Sequence, residues 1–320
     1  MPSNGNSSKL RLALLRHAIV LAAHFALRLV VRLPLPLQLR LGKSVGALFW
    51  RFFPSRRRVA ARNVAICFPE LAASAREALV KRHFEALGAS IIETAMGWYG
   101  DVETIRRVVR IEGSEHLAAA LARGKGVILY SAHFTCMEFC FPALKPLCPR
   151  FTGMYKAQKN PTMTRIMNRG RMRNTDELIS KDNVRALFRN LKLNAVVWYA
   201  GDQSYERKGA ELIPFFREPA MTNMAIWRIA KSSGATVLPY FPRRLPGDSD
   251  YVANIGPPLE DFPSDDPAAD VRRLMGLVED YVRLCPEQYW WVHKRFKGRP
   301  PPFADVYELS SEAELSRETS

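Results

Sequence analysis

The chain has 320 residues, enough for a substantial core, and its 48% hydrophobic and 24% charged residues are ordinary for a globular protein. Its charge is not ordinary, because 47 Lys and Arg against 31 Asp and Glu leave a formal net charge of +16. This excess favours an anionic partner: nucleic acid, an anionic membrane surface, or an acidic substrate or carrier protein. The five cysteines are odd in number and include no C-x-x-C pair, which argues against a disulfide framework or a zinc ribbon and favours a reducing compartment.

The N-terminal segment predicts a helix with one basic stripe. Residues 1–9 are polar and are expected to be disordered, whereas residues 10–33 are rich in Leu, Val and Ala. Only eleven residues separate Arg16 from Arg28, far fewer than the roughly 20 apolar residues of a spanning helix. The basic residues of the stripe follow spacings of seven, four and four: His17, His24, Arg28 and Arg32. We predict a helix that lies in a membrane interface. A helix packed on the protein's own core and a true span with snorkelling ends remain open as alternatives.

Two further helices are predicted before the first strand. Gln38–Phe53 completes a membrane-associating region over residues 10–53. Ser74–Trp98 has the pattern of a long amphipathic helix, with Ser74 as N-cap and Glu77 completing a capping box.

The best candidate for an active site is a strand followed by a polar turn. Val127–Tyr130 is β-branched and aromatic, which predicts a strand buried on both faces. His133 follows it, and helical spacing begins at Phe134, so His133 lies at the edge where ligands bind in open α/β sheets. Glu138 can reach His133 only from the first turns of that helix, with His133 on the preceding turn. In that geometry Glu138 would hold one imidazole N–H and leave the other nitrogen as a general base for an alcohol.

A basic helix is predicted downstream, over Pro161–Arg173. Its arginines 165, 169 and 173 share one face at i, i+4 spacing, while Arg171 points elsewhere. This helix could bind a phosphate-bearing substrate or an acidic carrier protein, and a solvated basic face is the alternative.

Polar residues also follow the next predicted strand, Asn194–Tyr199. Asp202 and Gln203 come after it and are candidates for substrate contact or for a structural turn network. Gly209–Phe216 is unusually apolar, so it is predicted either to line a groove for an apolar chain or to be a core-facing strand. Thr222 is predicted to cap the helix that follows.

Strands that alternate with helical stretches predict an α/β protein. We expect a single catalytic domain over residues 54–303 with a central mixed, mostly parallel sheet flanked by helices, an N-terminal amphipathic or membrane-anchoring helix, and a disordered tail over 304–320. The remaining predicted elements are strands at Phe151–Tyr155 and Ala235–Phe241, an edge strand at Tyr251–Ile255, and helices over Pro267–Cys285 and from Pro286 onward.

Several standard catalytic motifs are absent from the sequence. It contains no G-x-S-x-G elbow, no G-x-x-x-x-G-K-[ST] loop and no G-x-G-x-x-G after a strand, which removes most support for hydrolase, nucleotide-hydrolase and dinucleotide-binding functions. Cys136 and Cys140 flank Glu138, so a zinc site with His133 and a Cys–His nucleophile must be considered. Neither has a recognised spacing, and both cysteines fit packing roles.

A series of ordered motifs runs through residues 10–303. They are Arg62-Asn63 with Cys67–Glu70, Phe84–Gly88 with Glu93, the His-x4-Glu motif from His133 to Glu138, Gly170–Arg173, Trp198–Gln203, Pro214–Phe216 with Pro219, Ala220 and Thr222, Val237–Arg243, and Gln288–Lys297 with Arg299-Pro300. In these motifs the chain resembles the bacterial lipid A biosynthesis acyltransferases, the lauroyl/myristoyl type within the lysophospholipid acyltransferase-like superfamily.

The resemblance implies an enzyme on the cytoplasmic face of the inner membrane, attached peripherally or by a single N-terminal anchor. It would move an acyl chain from an acyl-carrier-protein thioester to a hydroxyl of a lipid A precursor in lipopolysaccharide biosynthesis, without metal, cofactor or covalent intermediate. His133 would be the base and Glu138 would orient it, while Arg171 would stabilise the oxyanion or hold a phosphate. Asp202 would position Arg171 or the acceptor. The candidate substrate-binding residues are Arg169, Arg171, Asp202, Gln203 and Thr222.

The partners implied are acyl carrier protein, an anionic lipid and the membrane surface, all of which a basic protein would attract. Where many family members have a glycine after the paired aromatics, this chain has Arg217 and Glu218 after Phe216, which bears on the acyl groove or the acceptor contact. An enzyme of the same superfamily acting on another glycolipid or an ornithine-type lipid is the alternative. A basic nucleic-acid binder using Tyr289–Trp291 is disfavoured, because it would not need the apolar N-terminal helix.

Overall fold

The computed structural model describes residues 5–247 and 250–308. Residues 1–4 and 309–320, which contain parts of the two ends predicted to be disordered, lie outside the described residues. Residues 5–9 belong to the first helix. Near the other end, Val306 is buried and the Tyr307 hydroxyl donates a hydrogen bond of 2.6 Å to Asn63 Oδ1, so residues 304–308 pack against the domain.

In the described part of the chain, a helical region precedes the first strand. Its helices are α1 (Gly5–Val30), α2 (Leu35–Phe52), α3 (Pro54–Cys67), α4 (Ala73–Tyr99) and α5 (Val102–Val108). The N-cap position of α4 is Ala72, so Ser74 lies inside the first turn and the predicted capping box is wrong. The rest of the long helix follows the predicted span, and α4 contacts α1, α2, α3 and the helices around the sheet.

The domain that follows alternates strands and helices. Its strands are β1 (Val109–Glu112), β2 (Val127–Ser131), β3 (Phe151–Tyr155), β4 (Glu177–Ser180), β5 (Val196–Ala200), β6 (Ala210–Phe215), β7 (Glu218–Asn223), β8 (Thr236–Arg244) and β9 (Tyr251–Ile255). Its helices are α6 (Ser114–Ala122), α7 (Met137–Leu144), α8 (Pro161–Arg171), α9 (Val184–Lys192), α10 (Ala225–Ser233) and α11 (Pro267–Leu284).

The central sheet has the strand order β1-β9-β8-β2-β5-β3-β4. Its neighbouring strands are parallel except β8 and β9, which run antiparallel. The predicted α/β class and the mostly parallel sheet flanked by helices are therefore confirmed. The edge position predicted for β9 is wrong, because β1 pairs with its other side. Strands β1 and β4 were not predicted from the sequence, because each has only four residues and partly exposed side chains.

The central strands are buried on both faces. Ile128 and Tyr130 of β2 pack into one apolar cluster, and Val127 and Leu129 pack into another on the opposite face. This alternation follows from the two-residue period of a strand, and it confirms that a continuous apolar run marks a doubly covered strand. In the hairpin of β6 and β7, Phe215 is completely buried and Ile213 is nearly so. The apolar stretch 209–216 is therefore core-facing.

Helices α2 and α4 approach so closely that their backbones touch. A Cβ atom added to Gly46 would lie 2.1 Å from the Phe84 carbonyl oxygen, and one added to Gly88 would lie 2.0 Å from the Gly42 carbonyl oxygen. Residues other than glycine cannot occupy these positions at this helix separation, because their Cβ atoms would clash with the facing backbone. The two helices are therefore held at a spacing that their backbones fix.

The C-terminal segment is not the predicted final helix. A single 3-10 turn covers Pro286–Gln288, and irregular backbone follows. The Asn63 side-chain amide donates to the carbonyl oxygens of Trp291 and His293, at 2.6 and 2.7 Å. These side-chain contacts satisfy carbonyl groups that a helix would have bonded internally. Gln288 similarly exchanges two 2.8 Å hydrogen bonds with the backbone of Arg244 at the end of β8.

Apolar side chains of α1 face outward. The exposed fraction is 60% for Phe25 and 62% for Leu29, and Leu14, Leu15 and Ile19 are exposed to similar extents. Among the helices of residues 5–247 and 250–308, none combines the length and the apolar character required to cross a membrane.

Candidate active site

The register of two neighbouring strands brings His133 and Asp202 together. Ser131, the last residue of β2, pairs with Ala200, the last residue of the parallel β5. His133 and Asp202 each lie two residues further along, at the carboxyl edge of the sheet, where side chains of adjacent parallel strands converge. The His133 Nδ1 atom lies 2.7 Å from Asp202 Oδ1, and the His133 backbone N–H donates to Oδ2 at 3.1 Å.

Asp202 is buried, with 1% of its side chain exposed. Burial alone would raise the pKa of this carboxyl, but the charge of His133 and the hydrogen bonds from its ring and backbone bring the pKa below its usual range. Tyr289 is buried beside it, and burial, followed by the charge of Asp202 and a hydrogen bond to it, raises the pKa of the phenol well above its ordinary value. Asp202 is thus an ionised carboxylate enclosed by donors.

His133 retains 26% exposure of its side chain. Burial lowers the pKa of this imidazole, but the charge of Asp202 and the hydrogen bond to it raise it more, so the net pKa lies above the ordinary value even though Arg171 opposes the increase. When Nδ1–H donates to Asp202, the neutral ring keeps Nε2 as its acceptor. The arrangement is that of a general base with a carboxylate that fixes its tautomer.

Glu138 has different partners from those predicted. It lies in the first turn of α7, and its Oε2 atom accepts a 2.6 Å hydrogen bond from the Trp98 indole. Its Oε1 atom accepts from Arg171 Nε at 3.0 Å and from the Nη2 atom of the same guanidinium. The carboxylate that orients His133 is therefore Asp202 and not Glu138. The cause is topological, because β5 lies beside β2 whereas α7 carries Glu138 towards α4.

Two glycines allow the helices around Glu138 to converge. A Cβ atom on Gly97 of α4 would lie 2.5 Å from the Glu138 carbonyl oxygen, and one on Gly170 of α8 would lie 2.4 Å from the Trp98 ring. The end of α8 thereby reaches α4 and places Arg171, with 17% side-chain exposure, against Glu138. Asp202 was expected to position Arg171, but Arg171 pairs with Glu138 instead.

The other predicted substrate-binding residues are more dispersed. Gln203 follows Asp202 and is partly exposed, whereas Arg169 is exposed on α8. Thr222 is buried within β7, where its hydroxyl accepts a 2.8 Å hydrogen bond from Arg295 and donates to the Ala220 carbonyl. Met224 and not Thr222 occupies the N-cap of α10, so the predicted cap is wrong.

Sequence reasoning gave His293 no role, but it lies beside the His133–Asp202 pair. The Ser204 backbone N–H donates to His293 Nε2 at 3.1 Å. Burial lowers the pKa of His293 to about 4, with Asp202 opposing this and the charge of His133 adding to it. His293 is therefore a neutral imidazole near neutral pH. Its place in the aromatic run from Tyr289 to Phe296 was the available sequence signal.

An apolar groove of 450 Å³ lies between α2, α4 and the C-terminal segment, and His293 forms part of its wall. Its apolar lining comes from Phe49 of α2 and Phe53 just after it, from Phe84, Leu87 and Ile91 of α4, and from Trp290 and Val292. His293 in its wall accepts the hydrogen bond from Ser204, two residues after Asp202, which connects the groove to the loop that carries the buried carboxylate. Its shape and lining suit a hydrocarbon chain.

The cysteines near the site are buried. Burial raises the pKa of the Cys140 thiol well above its ordinary value, which is unfavourable for a thiolate nucleophile. Among the residues that the structure describes, no group of three or more His, Cys, Asp and Glu side chains is arranged to hold a metal ion.

The fold and the site define an α/β protein that presents a histidine bonded to a buried carboxylate at the carboxyl edge of its sheet, together with an apolar groove. The family model described as bacterial lipid A biosynthesis acyltransferase matches residues 6–298. The lipid A biosynthesis lauroyltransferase of Escherichia coli K12 is 33% identical over 273 residues, covering 85% of this chain and 89% of that protein. The palmitoleoyltransferase of the same organism is 33% identical over 278 residues, covering 87% and 90%.

A further relative, the Escherichia coli K12 lipid A biosynthesis myristoyltransferase, is 27% identical over 274 residues, covering 85% of this chain and 84% of that protein. The chain belongs to the bacterial lipid A biosynthesis acyltransferase family, and the resemblance found in its motifs is confirmed.

Proposed function

We propose that the protein moves a fatty acyl chain from an acyl-carrier-protein thioester to a hydroxyl of a lipid A precursor, with His133 as general base. The observation that carries this proposal is the His133–Asp202 pair, in which Nδ1 faces Asp202 and Nε2 is left as the acceptor; the apolar groove with His293 in its wall adds support. The names of the relatives, which differ in the acyl chain transferred, support acyl transfer as the reaction.

In the proposed reaction, the acceptor hydroxyl gives its proton to His133 Nε2 while its oxygen attacks the thioester carbonyl carbon. The tetrahedral intermediate then collapses, the carbon–sulfur bond breaks, and the departing thiolate takes the proton from the imidazolium. The products are an ester and the free carrier thiol, so His133 ends in its starting state. Asp202 keeps the ring in the required tautomer and stabilises the imidazolium.

Arg171 is the proposed stabiliser of the developing oxyanion. Its charge lowers the pKa of His133, which supports a role for the guanidinium near the proposed reacting centre. Glu138 fixes its orientation through two N–H groups and leaves the remaining donors of the fork for the substrate. Glu138 is thus a positioning residue for Arg171, and the pair supplies a preorganised cation.

The exposed apolar face of α1 and the basic charge support peripheral attachment to an anionic membrane at its cytoplasmic face. The same charge favours encounter with an acidic carrier protein, so added salt should slow acyl transfer at low donor concentration.

The test offers the purified protein a series of acyl-carrier-protein thioesters with a panel of lipid acceptors, and reads the products by mass spectrometry. We expect acylation of a lipid A precursor by the wild-type protein and none above background by His133→Ala. Transfer only to a different lipid would replace the proposed acceptor. Equal turnover by the two proteins would reject the mechanism.

A further inference from the structure

The irregular loop after β5, which carries Asp202, is attached to the C-terminal segment. The Ser204 backbone N–H donates to His293 Nε2 at 3.1 Å, and the Ser204 hydroxyl oxygen lies 3.3 Å from the same atom. His293 is 89 positions away in sequence. The loop therefore has a point of attachment outside the sheet, two residues after the carboxylate that binds His133.

The imidazole of His293 is suited to accept this hydrogen bond. Burial lowers its pKa to about 4. The charge of Asp202 opposes this decrease, and the other charged groups that act on the ring add to it: His133, Arg295 and Lys297. A neutral ring that accepts at Nε2 carries its proton on Nδ1. Because the pKa of His133 is instead raised above its ordinary value, the acceptor on His293 is present whenever His133 changes charge.

His293 is itself fixed in place by a buried asparagine. Asn63 of α3 is 1% exposed, and its side-chain amide donates to the carbonyl oxygens of Trp291 and His293 at 2.6 and 2.7 Å. The Tyr307 hydroxyl in turn donates to Asn63 Oδ1 at 2.6 Å. The backbone of His293 is therefore held by a helix outside the sheet, and its ring passes that position on to Ser204.

The Asp202 carboxylate needs an exact position, because its two oxygens bind two different atoms of His133. Oδ1 lies 2.7 Å from the ring Nδ1, and Oδ2 accepts from the backbone N–H at 3.1 Å. A movement of the loop by about 1 Å would take both contacts beyond the usual range of hydrogen bonds. Misplacement of a reacting group by this distance can lower a rate about 10²-fold.

We propose that His293 is a positioning residue for the proposed base: it holds the loop at Ser204 and thereby keeps the Asp202 carboxylate against His133. This inference rests on the proposed function and adds to it a residue that acts through the loop and not on the reacting atoms. The ring of His293 also forms part of the wall of the apolar groove, so the experiment separates positioning from contact with a chain.

Two substitutions of His293 test the hydrogen bond by kinetics. His293→Phe keeps a ring in the groove wall but removes the acceptor, whereas His293→Gln keeps an acceptor of similar reach. We expect His293→Phe to lower kcat about 10- to 100-fold for every acyl donor, and His293→Gln to recover most of this loss. An effect confined to KM for long-chain donors would assign the residue to the groove wall. A Gln variant as impaired as the Phe variant would also overturn the proposal.

The titration of His133, followed by NMR of its imidazole in the protein without substrate, gives a readout that does not require acyl transfer. The charge of Asp202 raises the pKa of His133, so release of Asp202 in His293→Phe should move that pKa to a lower value. His293→Gln should leave it in place. An unchanged His133 titration in a folded His293→Phe protein would overturn the proposal. If the wild-type protein acylates no acceptor but the titration shifts as expected, the proposed function fails while the positioning role stands.

Ser204→Pro removes the donor of the same hydrogen bond and leaves His293 and the groove wall unchanged. It should lower kcat and the pKa of His133 as His293→Phe does, and it carries the test if His293→Phe does not fold. The double variant should be no worse than either single variant, because both break one bond. Additive losses would mean two independent effects and would overturn the proposal.

His83→Phe is the matched control. His83 of α4 is a buried imidazole whose pKa is also lowered by burial to about 4. Its Nδ1 atom lies 3.0 Å from the carbonyl oxygen of Glu287, in the turn that begins the same C-terminal segment. We expect His83→Phe to lower the melting temperature without moving the His133 titration or kcat. A shift equal to that of His293→Phe would mean a general loosening of the segment and would reject the specific role of His293.

Discussion

The carboxyl edge of the sheet and the N-terminal helices differ in how their polar groups are satisfied. At the sheet edge, both oxygens of Asp202 and both oxygens of Glu138 have donors within the protein. Around α1, by contrast, apolar side chains are exposed, and Arg28 has no carboxylate partner in the described part of the chain. The polar groups of the first region are satisfied within the protein, and under the proposed function a lipid would cover the second. Substitutions at the sheet edge should therefore reduce kcat, and those around the helices should change KM or binding.

The largest effect is expected at His133. His133→Ala removes the proton acceptor, so kcat should fall by about 10³–10⁴-fold, the upper range for loss of a general base. Acyl transfer from a carrier-protein thioester measures this loss. Because Asp202 would lose its buried partner, His133→Gln is the control, as it keeps an N–H donor without a comparable base. Near-wild-type turnover by a folded His133→Gln protein would contradict the role.

Asp202→Asn should reduce kcat by about 10³-fold, because the amide cannot fix the same tautomer or stabilise the imidazolium. Its pH profile provides the sharper readout. Asp202 raises the pKa of His133, while burial and Arg171 lower it. Since the base works when deprotonated, the wild-type rate should rise with pH through a pKa above the ordinary histidine value, and the variant's inflection should move to lower pH.

Glu138→Gln is the matched control for that profile. It should lower the rate through Arg171 while leaving the pH inflection in place. If Glu138→Gln shifts the inflection and Asp202→Asn does not, Glu138 orients the base after all.

Arg171→Ala should lower kcat by about 10²-fold, as loss of one oxyanion donor does. It also leaves Glu138, 6% exposed, without its cation. Breaking a buried pair in this way costs about 3 kcal/mol of unfolding free energy, which urea denaturation would measure. Arg171→Lys keeps the charge but not the forked contact and should lie between the two proteins. An unchanged rate at low substrate would exclude the oxyanion role.

Ile91→Trp should act on the apolar groove without touching the base. The larger side chain would occupy volume in which a chain could lie, so KM for the longest acyl donors should rise about tenfold while short donors change little. A donor series of increasing chain length measures this. An equal change across the series would remove the groove as the chain-binding site.

The smallest effect is expected at the exposed face of α1. Phe25→Ser/Leu29→Ser removes two outward apolar side chains and should weaken vesicle binding several-fold, with kcat on detergent-solubilised substrate unchanged. Leu193→Ser, at an exposed apolar residue after α9, is the control. Unaltered vesicle binding by the α1 variant would leave that face without the proposed role.

The sequence predicted the position of the site better than its pairings. The apolar runs of β2 and β5 and the polar residues after them placed His133 and Asp202 at the edge of a sheet. Their partnership could not be predicted, because it depends on β2 and β5 being neighbours although the two residues are separated by 69 positions. Glu138 was chosen because it is near His133 in sequence, but convergence of three helices through Gly97 and Gly170 directs it to Arg171.

Packing also decided features that local patterns left open. The segment 209–216 is apolar enough for a groove or a strand, and its pairing in the β6–β7 hairpin buries it. The predicted final helix is absent because the Asn63 side-chain amide bonds the backbone there, across more than 200 residues, and the Gln288 side chain is tied to the backbone of Arg244 in β8. The apolar groove itself is made by residues from three separate segments and has no local signature.

The glycine contact between α2 and α4 bears on how such a protein could diverge. Phe49 of α2 lines the groove together with Leu87 and Ile91 of α4, and the touching backbones at Gly46 and Gly88 prevent these walls from moving closer. Space for a substrate is then adjusted by the size of individual side chains and not by sliding of the helices. Under the proposed function, a new chain preference can arise from one or two substitutions in the walls, with the scaffold and His133 left unchanged.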